Sequence, residues 1–133
     1  EEDKEIIAPI KVDTLKNIDF VTCGCEYAIF KTMDGSIYVW FENRYGQLGI
    51  GNTQNQNTPF KCDTWPDDVV DIKCGNTHTL VLTSKQEVFS CGDNESGKLG
   101  RKISGSSPSL EKIDSLSNIT RIECGYNHSM CIG

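Results

Sequence analysis

A fixed interval runs through this chain. Cys23-Gly24, Cys74-Gly75 and Cys124-Gly125 stand 51 and then 50 residues apart, each behind a short apolar lead-in. The echo continues downstream, where Tyr45-Gly46-Gln47-Leu48-Gly49 returns as Ser96-Gly97-Lys98-Leu99-Gly100. A period near ~50 residues marks propellers and arrays, in which each unit buries its apolar face on its neighbours. Two full periods fit into 133 residues, with an end in front and a start behind. The repeat therefore predicts one partial propeller domain over 1–133. Residues 1–18 end a preceding repeat, 19–69 and 70–119 are repeats, and 120–133 begin a further one.

Within one period the pattern is that of short strands. Val69-Val70-Asp71-Ile72-Lys73-Cys74 alternates, so Val70, Ile72 and Cys74 are expected on one face and Asp71 and Lys73 on the other. Gly75-Asn76-Thr77 breaks the run, and His78 to Thr83 and Glu87 to Cys91 supply a second and third strand. The first period follows the same plan through Asp19–Cys23, Tyr27–Thr32 and Ser36–Trp40, with Asp34-Gly35 as a hairpin turn. The segments 51–59 and 101–108, polar and ending in Pro59 and Pro108, read as exposed loops. No sustained helical stripe occurs. The expectation is all-β: propeller blades of four-stranded antiparallel sheets, forming a partial ring or one completed by oligomerisation.

Composition narrows the function classes. Thirteen basic against 19 acidic residues give a net charge of −6, and the basic residues are scattered. Such a surface repels phosphate backbones, so no direct nucleic-acid partner is expected. No apolar run approaches the ~20 residues of a membrane helix, and the acidic start EEDKEIIAPIK is unlike a signal peptide. The seven cysteines are odd in number and show no C-x-x-C spacing. Cys23, Cys74 and Cys124 recur at one repeat position, which favours small buried apolar groups over disulfides or metal ligands. Reduced cysteines point to a cytoplasmic or nuclear compartment. The sequons at Asn94, Asn118 and Asn127 are incidental on this reading.

Several features imitate chemistry. His78 and His128 recur at one repeat position, which suits a side chain bonded to backbone at its turn better than a catalytic or metal-binding group. The Gly-x-x-Gly units lack the Lys-Ser/Thr and the helix of a phosphate loop. Asp67, Asp68 and Asp71 read as solvated acids. Trp40 is expected within a blade. Trp65 lies in a linker and is expected to be partly exposed, as a packing lid or a partner contact, with packing favoured. Neither a Ser-His-Asp set, nor paired catalytic carboxylates, nor zinc spacing is present, so no enzyme activity and no cofactor are expected.

Val69 to Thr83 (VVDIKCGNTHTLVLT), Asp34 to Trp40 with Asn43 and Gly46 to Gly49, and Ile122 to Ser129 together resemble the repeat of the regulator of chromosome condensation family. The resemblance covers essentially the whole chain and implies blades of a seven-bladed β-propeller. Three positions depart from the pattern: Phe41 stands where Gly92 stands, Tyr27 where His78 and His128 stand, and Arg101 to Ser104 replace the loop seen at Ile50 to Thr53. About seven repeats are needed to close such a ring. More of the same chain, another chain, or copies of this one would have to complete it; three copies supply roughly seven to eight units.

Function is then expected on the loops, which vary while the sheets hold them. The leading expectation is a non-catalytic protein–protein interaction module. The candidate partner contacts are Arg44 and Tyr45, Trp65, Asp67 and Asp68, and Asn94 and Glu95. The resemblance also implies an alternative, guanine-nucleotide exchange on a Ran-like or other small GTPase, although no wedge residue maps onto this chain. An inhibitor scaffold on the same propeller is a third class without specific residues behind it.

Overall fold

Period-two alternation dictates strands, and strands of four to seven residues separated by Gly- and Asn-rich turns dictate antiparallel meanders. The computed structural model describes residues 8–133. Its first sheet runs β1 (Ile18–Cys23), β2 (Tyr27–Thr32), β3 (Ile37–Phe41) and β4 (Gln56–Cys62), hydrogen-bonded in that order. The second repeats it with β5 (Val69–Cys74), β6 (His78–Thr83), β7 (Val88–Gly92) and β8 (Ser107–Lys112). β9 (Arg121–Cys124) and β10 (Ser129–Ile132) form an antiparallel hairpin that starts a third. These units are blade 1, blade 2 and the third hairpin, and they leave the ring open. Residues 1–7 of the expected preceding repeat lie outside the described residues, and 8–17 contain no strand.

Two local expectations change. The fourth strands begin inside the segments read as loops, at Gln56 and Ser107, so Pro59 and Pro108 lie within strands. β4 and β8 are the outer edges of their sheets, where a missing N–H costs no ladder bond. The strict alternation of β5 also breaks. A β-bulge between Val69 and Asp71 shifts the register against β6. Val69 turns into the core, and Val70 is left 53% exposed while Ile72 is buried. β1 carries the same irregularity between Ile18 and Phe20.

Blades bury their faces on each other, as units that cannot bury them alone must. One core cluster joins Ile29, Ile37, Val39, Leu48, Cys62 and Trp65 to Ile72 and Val81 of blade 2. A second joins Leu80, Leu82, Val88 and Ile113 to Ile119 and Ile122 at the third hairpin. Backbone contacts tie the joints too: Gly51 N donates to Pro108 O, and Asn76 N to Tyr126 O.

Candidate functional site

The long loop between β3 and β4 is built around one side chain. Asn43 is fully buried. Its Oδ1 accepts from Leu48 N at 3.0 Å, and its Nδ2 donates to the carbonyls of Asn52 (2.9 Å) and Gln54 (3.0 Å). Leu48 plugs into the core beneath it. Asn94 does the same in blade 2, accepting from Leu99 N at 3.1 Å and donating to Ile103 O at 2.9 Å. An amide is required here because it donates and accepts at once. Asn43→Ala should therefore cost about 2 kcal/mol in urea unfolding, by stranding buried backbone groups.

This internal pinning decides what faces outward. Arg44 and Tyr45 project from the blade 1 loop. Tyr45 is 38% exposed, and Arg44 Nε lies 3.5 Å from Glu42. On the blade 2 loop Glu95 projects, whereas the amide of Asn94 is spent inside the loop. The turns after β1, β5 and β9 share this end of the strands and add Cys25, Asn76 and Tyr126 around one shallow depression. Tyr126 is 65% exposed. Sequence reasoning missed these three, although their shared place just after Cys-Gly was the signal that could have found them.

Trp65, Asp67 and Asp68 lie at the opposite end, in the linker from β4 to β5, so the chain does not bring all seven candidates together. Trp65 is 6% exposed and its Nε1 donates to Gly49 O at 3.2 Å; it is a core side chain, not the partly exposed one expected. Asp67 is exposed, and Asp68 accepts from Ser84 Oγ at 3.0 Å. Asp71 accepts from Ile72 N at 2.9 Å. Among the described residues no three His, Cys, Asp or Glu side chains are grouped to hold a metal ion, and no helix is long and apolar enough to cross a membrane.

The recurrent histidine is a joint between blades. His78 Nε2 lies 3.1 Å from Ser129 Oγ, and Ser129 donates in turn to Lys98 O at 2.7 Å. The partner is thus a hydroxyl on the next unit, not backbone at the histidine's own turn. Burial and then the nearby Lys98 ammonium push the His78 pKa down to about 4. Tyr27 plays this part in blade 1: its hydroxyl donates to His78 O and lies 3.1 Å from Thr79 Oγ1, which donates to Gln47 O at 2.7 Å. Burial raises the Tyr27 pKa well above its ordinary value. The preceding glycine makes room for the ring, since a Cβ on Gly75 would stand 2.1 Å from His78 Cε1.

All seven cysteines are free. Cys91 is buried, and burial pushes Cys74 up to about 11 and Cys124 up to about 12, so these thiols stay protonated and unreactive. Cys23, at the same repeat position, is exposed, because within the described residues nothing covers that side of blade 1.

Four-stranded meanders stacked face to face, each sealed to the next by a loop carbonyl, define a segment of a β-propeller. The family model of the Regulator of chromosome condensation (RCC1) repeat matches residues 34–82 and 86–132, and a second model of that repeat matches 69–98. The chain belongs to the RCC1 repeat family. The ultraviolet-B receptor UVR8 of Arabidopsis thaliana is 37% identical over 98 residues, covering 71% of this chain and 22% of the receptor. The human E3 ubiquitin-protein ligase HERC2 is 34% identical over 131 residues, covering 93% of this chain and 3% of the ligase. Yeast RCC1 (Prp20), in its crystal structure with Kap60, superimposes with a TM-score of 0.78 at 21% identity over 89% of this chain and 30% of its own. The chain spans only a small part of the relatives it matches.

Proposed function

We propose that this chain is a non-catalytic protein-interaction segment of an RCC1-like propeller, and that it meets its partner through the loop face carrying Arg44, Tyr45 and Glu95. The observation that supports it most is the internal satisfaction of the β3–β4 and β7–β8 loops. Asn43 and Asn94 hold them from inside, so the projecting residues are presented on a rigid frame with little ordering entropy left to lose. Tyr and Arg are the residue types that dominate binding energy at interfaces. A cytoplasmic or nuclear setting fits the free thiols.

The test is quantitative capture of partners by the full-length protein. Arg44→Ala with Tyr45→Ala should weaken binding at least about tenfold, which is ~1.4 kcal/mol, with the fold intact by circular dichroism. Undiminished capture would remove this face from the interface. A second reading, exchange activity on a Ran-like or other small GTPase, takes its support from a structural relative. Prp20p of Saccharomyces cerevisiae was solved in connection with its binding to Gsp1p and histones, and matches with a TM-score of 0.76 at 21% identity. It predicts faster release of labelled GDP from a small GTPase on adding the full-length protein, and unchanged release across a panel would reject it.

A further inference from the structure

The two joints inside the chain are latched alike, through donors on the side of a blade that faces the blade before it. At the blade 1–blade 2 joint, Gln47 O accepts from Thr79 Oγ1 at 2.7 Å and from Cys91 Sγ at 3.4 Å. At the next joint, Lys98 O accepts from Ser129 Oγ at 2.7 Å. Blade 1 has the same side, and its apolar rows are in place. Val21, Phe30 and Tyr38 pair across the sheet as Ile72, Val81 and Phe89 do in blade 2. That continuity names the occupant: a preceding blade of the same longer chain, whose loop carbonyl would arrive where Gln47 O arrives on blade 2.

The hydroxyl donor for that carbonyl is missing, and the N–H that replaces the Cys91 thiol is already covered within blade 1. Ala28 stands in the place of Thr79 and has none to offer. Trp40 stands in the place of Cys91. Its Nε1 is buried without a hydrogen bond, and the Phe41 ring lies stacked on the indole, 4.5 Å away and 4° from parallel. Phe41 in turn replaces Gly92. It holds φ at 77°, in the left-handed region that Gly92 occupies at 107°, and is 48% exposed. A bulky residue kept in that region marks a position where local preference has been overridden.

We propose that the joint on the leading side of blade 1 is sealed by aromatic packing on Trp40 and Phe41 without a hydroxyl latch, and that it opens before the joint between blade 1 and blade 2. Hydrogen exchange on the full-length protein tests it. Amides of β1 and β2 should exchange at least about tenfold faster than those of β5 and β6, because local opening sets exchange where a joint is weak. Ala28→Thr with Phe41→Gly should slow them about tenfold. If that variant does not fold, Thr79→Ala decides, since it should speed exchange in β5 and β6 towards the rate of β1 and β2. Equal rates at both joints, or no response to Thr79→Ala, would overturn the proposal. So would a blue shift of Trp40 emission with rising concentration of the 133-residue chain carrying Trp65→Leu, which would give this face to a second copy.

Discussion

Trp65→Ala should lower the unfolding free energy by about 4 kcal/mol, read as a fall in the urea midpoint at unchanged m-value. The indole arrives from the β4–β5 linker and packs in the cluster of Leu48, Cys62, Ile72 and Val81, so it touches the loop plug of blade 1 and the sheet of blade 2 together. Truncation opens a cavity at a joint that can collapse only by moving one blade against the other. It also strips Gly49 O of its donor. Trp65→Leu should cost about half as much, because Leu15 and Leu116 hold the corresponding place behind Asp-Thr and Asp-Ser in the flanking periods. A midpoint unchanged in the alanine variant would mean that the linker does not seal this joint.

The strands were legible from two signals: Ile72 alternates with Asp71 and Lys73, while Ile29, Val39 and Val81 sit in short apolar runs bounded by turns, as buried strands do. Bulges do not announce themselves that way. The turn of Val69 inward and Val70 outward depends on pairing with β6, a tertiary fact. The fourth strands were hidden by Pro59 and Pro108, which argue against a central strand and are harmless on an edge. Trp65 misled for a different reason. A linker suggests exposure, but a side chain this long reaches the core from it. On the candidate face, Arg44, Tyr45 and Glu95 were legible as loop residues, whereas the inward role of Asn94 needed the geometry of its amide.

Lys98→Ala should cost about 3 kcal/mol, and its pH dependence identifies the cause. The Lys98 side chain is only 2% exposed; its Nζ lies 2.5 Å from Asp93 Oδ2 and 3.2 Å from Asn127 Oδ1, bridging blade 2 to the third hairpin. Burial alone would raise the Asp93 pKa, but the ammonium overrides it and holds the carboxyl below its ordinary value. Deleting the lysine leaves that carboxylate facing the joint uncompensated. Lys98→Gln should cost less, because Gln47 fills the same place in blade 1 and can still donate. His78 supplies the second readout. Its folded pKa of about 4 lies below the ordinary 6.5, so between those values the unfolded chain binds more protons. Stability should therefore be full above pH 6.5 and fall as the pH drops towards 4. Burial, the larger cause of the depression, survives in Lys98→Ala, while the smaller contribution from the ammonium is lost. The fall between pH 6.5 and 4 should thus become shallower without disappearing, and in His78→Gln the histidine's share of it should vanish. If Lys98→Ala lost stability with the wild-type pH slope intact, the ammonium would not act on His78, and the effect would be packing alone.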